Sequence, residues 1–245
     1  MDTIYKNQVV RFPIIASVIE GHQKGEVFRN KKETHFFVIN KFGFCQEFYS
    51  EFDEDFFANI VLKRITETKN KLRLYAPKGR LETFLKQYPK AFPAKRISFK
   101  LEHLTAKSAP EETLIVKNVE ISDLENDFFG LNLCSRYYAN KEDFIKNSFA
   151  KIALYDNEYA GICYSAGNGI NCAETDVFVK EQFRKKNIGK FLVSEFAQEC
   201  LKNDIEPHWD CYADNTPSVK LAKSCGFKEC LCYDFYNITN TETGA

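Results

Sequence analysis

Apolar positions along this chain keep two different periods, and the places where one gives way to the other outline its elements. Residues 34–40 and 42–48 are apolar and aromatic runs of strand length joined at Lys41 close to a glycine, which predicts a hairpin. Phe52, Phe56, Phe57, Ile60, Val61 and Ile65 fall on one helical face, so a helix is expected over residues 52–65. Residues 72–76 read as a strand, 80–87 as a short helix and 96–101 as an alternating strand, together a small open sheet with helices. The pattern stops over residues 105–112, a polar stretch with Ser108, Pro110 and two glutamates that reads as a connection. A first α/β domain is therefore expected over residues 1–110 and a second over residues 111–245.

The second half continues the mixed α/β pattern. Residues 113–119 read as a strand, 122–138 as a helical region and 141–148 as a shorter helix entered from Asn140 as its cap. Strands follow over 151–155 and 159–165, with Asp156 and Asn157 as hairpin turn residues. Gly167-Asn-Gly169 is then expected to turn the chain into a strand over 172–180. Ile188, Leu192, Phe196 and Cys200 recur every fourth residue, which predicts an amphipathic helix over 188–202 before a short strand at 207–212.

Composition narrows the function classes. The 245 residues hold 34 Lys+Arg against 34 Asp+Glu, with 44% hydrophobic and 28% charged residues. Such a chain has apolar surface enough for a packed core and is not expected to be disordered. Its zero formal charge gives no bulk field for nucleic acid, so a nucleic-acid partner is not expected. The longest apolar-rich run, residues 12–19, is too short to span a membrane, and the amino terminus lacks the pattern of an export signal. Nine cysteines, an odd number without an export signal, are expected to be reduced thiols in the cytoplasm. Cys225, Cys230 and Cys232 lack a second Cys-x-x-Cys pair and a His at ligand spacing, so no metal site is expected.

Candidate chemistry gathers at the start of the 188–202 helix. Arg184, Lys185, Lys186 and Lys190 surround Gly189 where a strand turns into a helix. The first amides of a helix have no partner within it and favour an anion. With the glycine allowing close approach, a diphosphate would satisfy amides and cations together; a solvated basic turn is the plainer alternative. Downstream comes Asp214-Asn-Thr-Pro-Ser-Val-Lys-Leu-Ala-Lys-Ser-Cys-Gly-Phe227. In order, these segments resemble the GNAT superfamily of acetyl-CoA-dependent N-acyltransferases, from about Thr113 to Asn237. Arg184-Lys-Lys-Asn-Ile-Gly189 is similar to the family's Arg/Gln-x-x-Gly-x-Gly/Ala loop, with Asn187 replacing the first glycine; Asn tolerates positive φ better than most residues. Asn215, Ser218, Leu221, Gly226 and Phe227 match the family's second segment. Ala173-Glu-Thr175 and Glu206-Pro-His-Trp-Asp-Cys211 also resemble a two-domain bacterial branch, similar in architecture to glycine N-acyltransferases, whose first domain is often a degenerate copy of the second.

The resemblance implies acetyl transfer to an amine by direct attack in a ternary complex. Backbone groups of Val177, Phe178 and Val179 would pair with the pantetheine of acetyl-CoA and one N–H would hold the thioester oxygen. The loop Arg184, Lys185, Lys186, Asn187, Ile188, Gly189 and Lys190 would hold the diphosphate, and Asn215 with Ser218 would close the other side. Glu174 and Asp176 share a strand face and are candidate bases, or else merely solvent-facing positions of that strand. Asp210 and Tyr212 share a face on the next strand, opposite Trp209 and Cys211, and His208, at the start of that strand, reads either as a proton carrier or, more plainly, as a polar edge residue. The family's acid, a Tyr, is replaced here by Ala222. Tyr212 is the named substitute, with Tyr233 and Tyr236 nearby in sequence. Cys225 reads as a buried structural thiol. The acceptor is a small-molecule amine or a peptide or protein amine; a CoA-binding regulatory or scaffold module without turnover is the alternative.

Overall fold

The computed structural model describes residues 1–105 and 113–239. The border expected near residue 110 lies outside the described residues. The chain divides into two compact units, Met1–Arg96 with the chain from Tyr233 onward, and Ile97–Cys232.

The first unit opens with α1 (Asp2–Lys6) and α2 (Pro13–Ile19), the latter with proline in its first turn, where no amide hydrogen is missed. Strands β1 (Gly25–Arg29), β2 (His35–Asn40) and β3 (Phe44–Tyr49) form an antiparallel meander; the 34–48 hairpin was expected and β1 was not. The helix expected over 52–65 starts later, because Asp53 Oδ1 accepts from Phe56 N at 3.0 Å and caps it. It runs as α3 (Glu54–Phe56), a π-helical stretch (Phe57–Leu62) and α4 (Lys63–Glu67). Strand β4 (Leu72–Tyr75) pairs parallel with β3, and α5 (Arg80–Gln87) lies where expected. Strand β5 (Ala91–Leu101) begins in this unit and ends in the other. One polar pair sits inside: His35 Nε2 lies 2.7 Å from Glu47 Oε1, and Asp53 N donates to His35 Nδ1 at 3.1 Å. Burial pushes the Glu47 carboxyl up, against the pull of His35.

The second unit carries β6 (Leu114–Asn118), α6 (Leu133–Tyr137), α7 (Lys141–Ser148), β7 (Lys151–Tyr155), β8 (Glu158–Gly169) and β9 (Cys172–Val179). Helix α8 (Ile188–Lys202), β10 (Glu206–Tyr212), α9 (Thr216–Ser224) and β11 (Phe227–Ile238) follow. Strand order within this unit is β5-β10-β9-β8-β7-β6; β6 through β9 pair antiparallel, and β10 pairs parallel with β9 after the α8 crossover. The last residues of β11 return to the first unit, where Phe235–Ile238 pair antiparallel with β4.

Two expectations for this unit are corrected. The helical region over 122–138 is broken into a 3-10 turn (Ile121–Leu124) and the short α6. Between them the Asp127 carboxylate accepts from Leu131 N (2.9 Å) and Asn132 N (3.1 Å), and Gly130 and Asn132 are left-handed. A side chain that binds nearby amides this way offers the backbone an alternative to helix. The turn placed at Gly167-Asn-Gly169 is instead a bulge within β8, where Gly167 N donates to Ser165 Oγ at 3.2 Å. The chain reverses at Ile170 and Asn171, both at positive φ. The hairpin at Asp156 and Asn157 has the same signature, as expected, and Asn140 caps α7 by accepting from Asp143 N at 2.8 Å.

Two apolar cores cover the faces of this unit's sheet. One joins Ile188, Leu192 and Phe196 of α8 to Trp209, Cys211 and Ala222; the other joins Leu133 and Phe144 of α6 and α7 to Ile152, Ile162 and Tyr164. Among the described residues no helix is long and apolar enough to cross a membrane.

Candidate active site

The site is set by a ladder that stops early. Glu206, Pro207 and His208 of β10 pair with Cys172, Ala173 and Glu174 of β9. Beyond that rung β9 runs on to Val179 and β10 to Tyr212, without further registered pairs between them among the described residues. On its other side β9 stays paired, Val177, Phe178 and Val179 lying opposite Cys163, Ile162 and Gly161 of β8. The registered pairing of the two parallel strands thus stops at the Glu174–His208 rung, and beyond it they part.

Where β9 ends, the basic loop begins. Arg184 Nε donates to Val179 O at 3.2 Å, which ties the loop to the strand. Lys185 (φ 64°) and Asn187 (φ 58°) are left-handed, so Asn187 takes the conformation expected where the family carries glycine. Asn187 precedes α8 and its carbonyl accepts from Lys190 N and Phe191 N, leaving the amides of Ile188 and Gly189 in the first turn with no acceptor inside the helix. Lys186 Nζ stands 3.8 Å from the centroid of the Tyr155 ring. A Cβ on Gly189 would lie 3.3 Å from Leu221 Cδ2 and 3.6 Å from Val179 Cγ2, so this glycine lets α8 pack closely on α9 and β9. Loop amides, left-handed residues and cations together have the chemistry of an anion cradle.

Opposite the loop, Asn215 Oδ1 accepts from Ser218 N (3.3 Å) and caps α9, and Ser218 Oγ accepts from Trp209 Nε1 (3.1 Å). Ala222, at the position of the missing tyrosine, is fully buried in the α8-side core. Tyr212 is half-buried at the end of β10, and its carbonyl accepts from Asn215 N. Tyr233 and Tyr236 pack instead inside the first unit, Tyr233 against Phe12 and Tyr75. Burial pushes the Cys225 thiol up to about 11, as suits a structural thiol.

Glu174, Asp176 and His208 share the sheet face that carries α6 and α7. At the last rung His208 Nδ1 lies 3.0 Å from Glu174 Oε2. Burial works against a charged His208, but the charge and hydrogen bond of Glu174, helped by Asp210 and Glu206, hold its pKa above the usual value. One rung further Asp176 faces Tyr164, whose hydroxyl donates to Asp176 Oδ2 at 2.8 Å. Burial and the Asp176 charge push the Tyr164 phenol far up, which keeps it a donor. Tyr164 was not foreseen: only the register of β8 on β9 brings it to Asp176. Phe129 stands 6.0 Å from Phe178 between ring centroids, and Lys180 caps Phe129 at 5.5 Å, which makes an aromatic wall beside the parting.

The uncharacterized N-acetyltransferase YdfB of Bacillus subtilis is 31% identical over 100 residues. Those residues are 41% of this chain and 38% of YdfB, so the match spans little more than a third of that relative's length. A GCN5-related N-acetyltransferase-like protein from Streptococcus suis has a similar structure, with a TM-score of 0.73 at 15% identity over 97% of this chain and 96% of its own. An acetyltransferase of the GNAT family from Colwellia psychrerythraea gives 0.60 at 9% identity over 97% and 93%. At these identities the likeness speaks for the fold. The model of the GNAT acetyltransferase family matches residues 5–236, nearly the whole sequence, and the chain belongs to that family.

Proposed function

We propose that this protein moves the acetyl group of acetyl-CoA to the nitrogen of an amine, with donor and acceptor bound together and no covalent enzyme intermediate. The observation that carries this reading is the parting of β9 from β10 after the Glu174–His208 rung, directly before the basic loop and α8. The residues fit the donor. Backbone groups of Val177, Phe178 and Val179 hold the pantetheine, and one amide there supports the thioester oxygen as charge develops on it. Arg184, Lys185, Lys186, Asn187, Ile188, Gly189 and Lys190 hold the diphosphate, while Asn215 and Ser218 bound the pantetheine from α9. Glu174 and Asp176 belong to the face on which the amine sheds its proton, and Tyr212 stands nearest in sequence to a role at the sulfur. The catalytic gain is mainly positioning and fixed dipoles.

The acceptor class is an amine of a small molecule or of a peptide. The test is release of CoA from acetyl-CoA on adding spermidine, propylamine, glucosamine or a short peptide, with the acetylated product identified by mass. Acetyl transfer to at least one amine is expected. Acetyl-CoA binding without transfer to any of them would favour a regulatory or scaffold module, a reading that the buried Ala222 in place of a tyrosine supports.

A further inference from the structure

We propose that His208 takes the proton from the acceptor amine, and that Glu174 is a positioning residue that fixes the imidazole for this task. The inference rests on the acetyl-transfer reading and changes the part given to Glu174.

Geometry carries it. The pair forms the last rung before β9 and β10 part, with side-chain exposures of 16% for His208 and 13% for Glu174. A carboxylate 3.0 Å from Nδ1 accepts the hydrogen there, so the neutral ring carries its lone pair on Nε2. Among the described residues no hydrogen bond to Nε2 is found, and the ring keeps some access to solvent. Carboxylate on one nitrogen and lone pair on the other is the arrangement of an oriented base. Asp176 serves this role less well, since the buried Tyr164 already occupies its Oδ2.

The charges acting on His208 come from Glu174 on β9 and from Asp210 and Glu206 on its own strand. On the same face Asp176 is held by Tyr164, which in turn feels Arg136 of α6. Strand β5, on the other side of β10, brings Lys100 from its part of this unit, while α8 and α9 lie against the opposite face with Trp209 and Cys211. The surroundings are thus mainly anionic and favour the imidazolium once it forms.

In the step, the ammonium of the acceptor gives one proton to Nε2. The freed electron pair forms the C–N bond to the thioester carbon, and the C–S bond breaks with its pair on sulfur. The second nitrogen proton ends on that sulfur as the CoA thiol, and Nε2 returns its proton to solvent.

The test joins nitrogen-15 NMR of the imidazole with transfer kinetics on the full chain, using wild type, His208→Gln, His208→Asn and Glu174→Gln. Acetyl-CoA is the donor, with spermidine and propylamine as probe acceptors. At alkaline pH the neutral ring should carry its hydrogen on Nδ1, and Glu174→Gln should move the His208 titration to lower pH. Both His208 variants should lose about 100-fold in kcat/KM for the amine with acetyl-CoA affinity kept. The acidic limb of the pH profile should vanish in them and shift to lower pH in Glu174→Gln. A hydrogen on Nε2, or a titration unmoved in Glu174→Gln, would overturn the orientation. Wild-type transfer rates in both His208 variants would overturn the base. No transfer by wild type overturns the acetyl-transfer reading itself, a separate failure because the nitrogen spectrum needs no acceptor.

Discussion

Single residues decide whether the loop before α8 holds an anion. Arg184 is braced on the Val179 carbonyl, Lys186 on the Tyr155 ring, and Asn187 turns the chain through left-handed space. Replacing Arg184 and Lys186 together by glutamine should weaken acetyl-CoA binding by about 10- to 100-fold, since hydrogen bonds to charged groups contribute about 1.5–3 kcal/mol. The remaining affinity should depend less on salt than that of wild type. Titration calorimetry at two ionic strengths reads both, and an unchanged dissociation constant would remove the loop from the donor site. Asn187 was legible from sequence because its conformation is a local property of Asn beside a helix start. Tyr164 was not, because its place opposite Asp176 depends on how the bulge between Ser165 and Asn168 shifts β8 against β9. The pairing of His208 with Glu174 was hidden for the same reason, as a rung between strands joined through a 15-residue helix is a matter of register.

Elements were most legible where a single period ran unbroken. Helix α8 has the bounds its four-residue spacing predicts, and α7 has both its bounds and its cap. Where polar side chains bind the backbone, periodicity misleads, as at Asp127 between Leu124 and Leu133. Asp123 shows the energetic side of such bonding. Its carboxylate accepts from Glu120 N (2.9 Å), Tyr159 Oη (2.8 Å) and Lys117 Nζ (3.0 Å). Burial alone would raise its pKa, but these bonds outweigh burial and hold it below the usual carboxylate range. A depressed folded pKa stabilises the fold above the unfolded value, and that stability is lost as pH falls through the folded one. Asp123→Asn should therefore lower stability by about 1–3 kcal/mol at neutral pH. The gap to wild type should close as pH drops below about 4. Thermal unfolding across pH measures this, and a gap independent of pH would show that the ionised carboxylate is not what counts.

At the scale of the whole chain, the family was legible because two short segments keep the family's order and spacing around α8 and α9. The return of Phe235–Ile238 to pair with β4 was not legible, since nothing local in a strand names a partner more than 150 residues away. Phe235, Tyr236 and Ile238 are buried there, so the end of this strand belongs to the first unit, with Tyr236 and Ile238 in its core. The central claim is that the loop and the parted strands bind acetyl-CoA. It is tested most directly by following thermal unfolding as acetyl-CoA, CoA and a longer acyl-CoA are added in turn. Ligand at about 100 times its dissociation constant adds about 2.7 kcal/mol to stability. For a chain of this size that raises Tm by about 5–10 °C. A rise with acetyl-CoA is the result expected; no shift with any of the three would contradict the donor site and the function built on it.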